Sequence, residues 1–94
     1  ELASAALARW PEFAPALHAK AIAASESGRH DVAAMLWRRV ADEAAAHGHS
    51  TEEVAALTAS AEAELAMGRP SAALATLERA AGVRRHHRAD EVLS

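Results

Sequence analysis

Gly28, Gly48, Gly68 and Gly82, with Pro11 ahead of them, divide this 94-residue chain into stretches of helical length, and that punctuation limits its fold more than any other feature. Within each stretch the apolar residues recur at three and four positions and do not alternate. Phe13, Leu17, Ala21 and Ala24 fall on one helix face, and Val54, Leu57, Ala61 and Leu65 fall on one face of another. Between them Val32, Leu36, Val40 and Ala44 line up beside Ala33 and Trp37, while Ala73, Leu74, Leu77 and Ala81 mark a further helix. The start signals agree: Asp31 sits near one N-terminus, Ser50 or Thr51 followed by Glu52 and Glu53 is expected to cap another, and Pro70 with Ser71 opens the next. Connections this short suit antiparallel neighbours. Alanine fills about three positions in ten and aromatics only 3%. Because alanine has the highest helix propensity and leaves little side chain between packed backbones, this composition favours close helix-on-helix contact over a sheet.

The segments resemble one another. Gly28-Arg29 recurs as Gly68-Arg69, and 68 − 28 gives a period of 40. The same shift carries Leu17 to Leu57 and Arg39 to Arg79, and brings Ala16, Ala21 and Ala33 onto Ala56, Ala61 and Ala73. In a chain so rich in alanine the alanine matches carry little weight, so the repeat rests on the Leu, Gly and Arg pairs and on the shared helix-turn-helix layout. Self-similarity at a period of roughly 20–50 residues is the usual mark of a solenoid.

Composition also narrows function. A formal charge of −3 supplies no positive field to attract phosphate backbones, so nucleic acid is not an expected partner. With no cysteine there is no disulfide framework and no Cys-based zinc site. Lys20, Glu26, Arg38, Glu62 and Glu64 interrupt the apolar stretches well short of the roughly 20 residues a membrane helix needs. Glu1 is not preceded by an initiator Met or a basic, apolar leader, so the expectation is an excised piece with a cytoplasmic location as the default. A domain this small is near the margin of independent stability unless neighbouring units extend its core.

The residues resemble the tetratricopeptide repeat family, whose pattern runs large, small, small along a first helix, then Gly at the turn, then Ala, an aromatic and Ala on a second helix. Leu17, Ala21, Gly28, Ala33, Trp37 and Val40 carry the resemblance in one unit, and Leu57, Ala61, Gly68, Ala73, Leu77 and Ala80 carry it in the next. Lys20 and Ser60 stand where the family prefers Leu, and Ala24 and Glu64 where it prefers an aromatic. The period is longer than the family's usual one, and the extra residues around 44–50, with the run from His47 to Val54, look like the longer repeats of kinesin light chain and of bacterial signalling regulators. The resemblance implies an all-α, right-handed solenoid of antiparallel helix-turn-helix repeats with about five helices. Residues 1–11 would be the second helix of a preceding partial repeat, 14–53 and 54–89 two repeats, and 90–94 the start of a further helix. It further implies that first helices line a concave face, which places His18, Ile22, Ser25 and Glu26 of one repeat and Thr58, Glu62 and Leu65 of the next against a peptide or helix of a partner protein. Trp37 and Leu77 would fill the gap toward the neighbouring unit.

Other chemistries are thinly represented. His47 and His49 share one inter-repeat loop and His86 and His87 occupy the matching place one period later, but loop imidazoles without carboxylate or Cys partners lack fixed ligand geometry, and no metal or cofactor is expected. Arg84-Arg85-His86-His87-Arg88 is the one basic cluster and is expected to be a solvated connector between repeats. No nucleophile stands beside a base and no phosphate-binding glycine loop occurs, so an enzyme is not expected. The expected function is a non-catalytic protein-interaction scaffold. Its alternatives are a sensor or dimerisation module of a larger bacterial regulator and a plain helical bundle without binding duty, with self-association through the exposed ends of a cut array as a further expectation.

Overall fold

The structure, a computed structural model, describes residues 15–93 and the side-chain surroundings of residues 16–86. Four α-helices follow one another: α1 (Pro15–Glu26), α2 (His30–Ala46), α3 (Ser50–Ala66) and α4 (Pro70–Leu93); no strand occurs among the described residues. The fold is all-α. The helix expected over 1–11, and Phe13 with it, lies outside the described residues.

Three turns of one construction join these helices. Gly28, Gly48 and Gly68 are spaced by 20 residues and hold φ of 74°, 72° and 75°, a left-handed conformation that costs glycine little and other residues more. In each turn the residue after the glycine does two things. Its N–H closes the helix behind it, from Arg29 to the Ala24 carbonyl at 2.9 Å, from His49 to Ala44 at 2.8 Å, and from Arg69 to Glu64 at 2.9 Å. Its carbonyl accepts the first bond of the helix ahead, from Ala33 at 2.8 Å, from Glu53 at 2.9 Å and from Ala73 at 3.0 Å. A turn that ends one helix and starts another on a single residue leaves no room for a separate cap. His49 therefore holds the cap position of α3, and Ser50, expected there, is already helical. Asp31 in α2 and Glu52 and Glu53 in α3 sit in first turns, where the helix dipole favours them.

The end of α4 differs from expectation. Gly82 does not break the chain; it lies inside a 24-residue helix that also contains the basic run from Arg84 to Arg88 and residues 90–93, which continue α4 and open no further helix. Gly82 is not among the glycines with positive φ, and the position 20 residues beyond Gly68 is Arg88, which lacks glycine's access to that conformation.

Each helix packs on its neighbours in sequence, α1 on α2, α2 on α3 and α3 on α4, and the whole measures 41 × 36 × 15 Å. Small residues make the contacts close. Ala21, Ala24, Ala33, Ala34, Leu36 and Ala63 join α1, α2 and α3, while Val40, Ala41, Ala44, Ala56, Leu57 and Ala80 join α2, α3 and α4; Leu17 and Trp37 lie against both clusters. Among the described residues of the expected apolar faces most are buried, Leu17, Val32, Trp37, Val54 and Ala81 are half-buried, and three are exposed. Leu65 is 54% exposed, and Leu74 and Leu77 are exposed as well, so Leu77 does not fill the gap that Trp37 fills.

α3 is fastened to both neighbours by polar contacts. Ser60, fully buried, donates to the Ala34 carbonyl of α2 at 3.1 Å. Glu64, 8% exposed, accepts the Thr76 hydroxyl of α4 at 2.7 Å, and Arg38 of α2 donates to the same hydroxyl at 2.7 Å and reaches Glu64 at 3.5 Å. Arg79 of α4 bridges Glu53 of α3 at 3.2 Å and Asp42 of α2 at 3.0 Å. Among the described residues no buried side-chain polar atom lacks a partner.

Two pairs of substitutions test this frame by thermal or urea unfolding. Gly82→Ala is expected to stabilise the chain by about 0.5–1 kcal/mol, since an added methyl meets only Arg85 Nη2 at 3.9 Å. Gly48→Ala is expected to cost about 1 kcal/mol through its φ alone, because no heavy atom lies within 4 Å of the added methyl. Equal responses at the two sites contradict the assignment of Gly82 to a helix interior. Glu64→Ala, which removes the buried acceptor that Thr76 and Arg38 share and opens a cavity, is expected to cost about 2–3 kcal/mol, against about 1 kcal/mol or less for exposed Glu62→Ala.

Candidate functional site

A shallow groove of about 350 Å³ opens between α1 and α3, with α2 as its floor. α1 contributes Ile22, Ser25 and Glu26; α3 contributes Ala59, Glu62 and Ala63; His30 and Trp37 come from α2. Helical spacing explains the α1 set, because residues three and four apart share a face. Four of the seven residues expected on a partner-binding face, Ile22, Ser25, Glu26 and Glu62, are thus brought to one place.

Trp37 organises the groove. Its indole is half-buried, its Nε1–H donates to Ser25 Oγ at 2.9 Å, and the His18 ring meets it edge-on with centroids 5.1 Å apart and planes at 79°. His18, a fifth expected residue, therefore supports the floor and is only half-exposed. Ile22 stands 40% exposed, and the carboxylates of Glu26 and Glu62 are exposed, one on each bordering helix. An apolar floor between two carboxylates can hold an aliphatic stem ending in a cationic head.

The remaining two expected residues go elsewhere. Thr58 bonds back to the Val54 carbonyl of its own helix at 2.9 Å and lines a second groove, between α3 and α4, with Leu77, Ala81 and Arg84. Leu65 is exposed toward the C-terminal end of α3. His30 and Trp37 were not expected in a groove. The available signal was the indole N–H, which needs a partner when half-buried and so argues for a position at a rim and not deep in a core.

His47 and His49 flank Gly48 with rings stacked 6.3 Å apart at 30°, and His86 is exposed on α4. Among the described residues no three His, Cys, Asp or Glu side chains come together in a way that could hold a metal; His87 lies in α4, beyond the residues whose side-chain surroundings are described. No helix among the described residues is long and apolar enough to cross a membrane.

No family model matches this chain, no curated protein matches it, and no solved structure matches it.

Trp37→Ala is expected to cost about 2–4 kcal/mol, since it removes the wedge shared by both apolar clusters. Ser25→Ala, which frees an indole N–H that solvent can reach, is expected to cost under about 1 kcal/mol. Unfolding by urea compares them, and a Trp37→Ala loss no larger than that of Ser25→Ala contradicts the role given to the indole.

Proposed function

We propose that this chain is a tetratricopeptide-like helical-repeat module whose role is to bind a peptide or helix of a partner protein along the α1–α3 face, without catalysis. Ile22, Ser25 and Glu26 of α1 and Glu62 of α3 line one groove over Trp37, and this observation carries the reading. Two further features support it. Helices that pack in sequence order, joined by turns of one geometry at a spacing of 20 residues, suit an array of helix-turn-helix units. Burial is kept across the 40-residue offset at Ala21 and Ala61 and at Ala33 and Ala73, where first and second helices of a unit would touch.

The chemistry of the groove names the kind of segment it takes. Glu26 and Glu62 favour a cation, while Ile22 and Trp37 favour an apolar group or an aliphatic stem, so a Lys or Arg next to an apolar residue fits. Exposed carboxylates contribute little singly, and affinity from so small a patch is modest.

The test is a titration of the full chain with a cationic amphipathic peptide and with an acidic peptide of matched length and hydropathy, followed by calorimetry. The cationic peptide is expected to bind better, and Glu26→Gln with Glu62→Gln is expected to weaken it about tenfold. A preference for the acidic peptide, or affinity unchanged by the double substitution, contradicts the proposal.

A further inference from the structure

α3 sits on a seat that α2 provides, and α4 carries the same seat open. The α2 side of that contact includes Ala34, Ala41 and Ala44, all buried, beside half-buried Trp37. Ser60 bonds across it to the Ala34 carbonyl at 3.1 Å, and Val40, Ala41 and Ala44 cluster with Ala56 and Leu57. Forty residues on, the same four positions are Leu74, Leu77, Ala81 and Arg84. They follow at i, i+3, i+7 and i+10, which is one stripe along a helix. Here the stripe faces outward: Leu74 is 59% and Leu77 40% exposed, Arg84 is exposed and Ala81 half-buried. Positions pointing into the body behave alike under the same offset, since Ala33 and Ala73, and Val40 and Ala80, are all buried. Leu77, Ala81 and Arg84 form one wall of an open groove of about 720 Å³, and Val54 and Thr58 of α3 form the other.

α3 also indicates what such a seat accepts. Ala56, Ser60 and Ala63 are buried in α3, whereas their counterparts in α1, Ala16, Lys20 and Ala23, are exposed. Small side chains at i, i+4 and i+7 thus mark the face that enters. The first turn of α3 carries Glu52 and Glu53, and Ala44 clusters with Ala56 and Val54 near that end of the helix. A helix seated in the same way on α4 brings its first turn to Arg84 and Arg85. Carboxylates in that turn are favoured by both arginines and by the helix dipole.

We propose that the stripe of Leu74, Leu77, Ala81 and Arg84, with Val54 and Thr58, is a docking seat for an amphipathic helix of a partner protein, one with small residues at i, i+4 and i+7 and an acidic first turn. The turns that fold α3 and α4 back onto their neighbours each use a glycine at positive φ, and at the next such position stands Arg88, where α4 runs on as helix to Leu93. A second copy of this chain is a poor occupant. Its equivalent helix, α1, has no acidic residue in its first turn and carries Lys20 where α3 carries Ser60. The seat lies on α3 and α4, apart from Ile22 and the α1–α3 groove.

A labelled synthetic peptide with the sequence of residues 50–66 has the required pattern and serves as the probe, titrated against the full chain by fluorescence anisotropy. Leu77→Asp is expected to weaken binding about tenfold or more, Arg84→Glu about fivefold, and Ile22→Asp less than about twofold. A peptide carrying Glu52→Lys and Glu53→Lys is expected to prefer the Arg84→Glu chain over the unaltered one. Thermal melts of the variants establish that these exposed substitutions leave the fold intact. Absence of binding at millimolar peptide, equal affinity for the Arg84→Glu chain, or a dimer in sedimentation that Leu77→Asp abolishes each overturns the proposal, the last by giving the seat to a second copy.

Discussion

The left-handed glycine turn is the constraint on which this structure depends. At Gly28, Gly48 and Gly68 a single following residue closes one helix and opens the next, which leaves no slack between them. Without slack, each helix must fold back against its predecessor, and the contact face is set by where the turn releases the chain. The same device explains where folding back stops. Arg88 takes the place of a fourth glycine, and α4 continues.

Close return of the helices is possible because the facing residues are small. Ala21, Ala33, Ala41, Ala44 and Ala61 are almost fully buried and add little side chain between the backbones. Such interfaces gain less from apolar area than Leu-rich ones, and here buried polar contacts add directionality. Ser60, Glu64 and Glu53 tie α3 to the backbone of α2, to Thr76 and Arg38, and to Arg79. α3 is consequently the element held from both sides, and its free edge, with Ala59 and Glu62, is presented toward α1 as one wall of the groove.

Much of this was legible in the residues. The helix-length stretches and the faces through Ala21, Val40 and Leu57 follow from period and punctuation, while the exposure of Ile22 and Glu62 was legible only through the family resemblance. What was not legible depends on contacts distant in sequence or on a dihedral angle. Gly82 reads as a breaker because residue type does not state φ. Ser60 and Glu64 read as weak points in an apolar pattern, since their partners Ala34, Thr76 and Arg38 lie 26, 12 and 26 residues away. Trp37 reads as core because its size is evident and its N–H bond to Ser25, 12 residues distant, is not. Leu74 and Leu77 satisfy the helical period yet stay exposed, for periodicity marks a face without saying what covers it.

The central functional claim is that α1 and α3 act as two walls of one binding surface with Trp37 between them. Backbone and indole N–H shifts of the isotope-labelled chain during titration with the cationic amphipathic peptide address it most directly. The Trp37 indole N–H and the amides of Ile22, Glu26 and Glu62 are expected to move together along one saturation curve. Shifts confined to a single helix, or centred on α4 with the Trp37 indole unmoved, would contradict it.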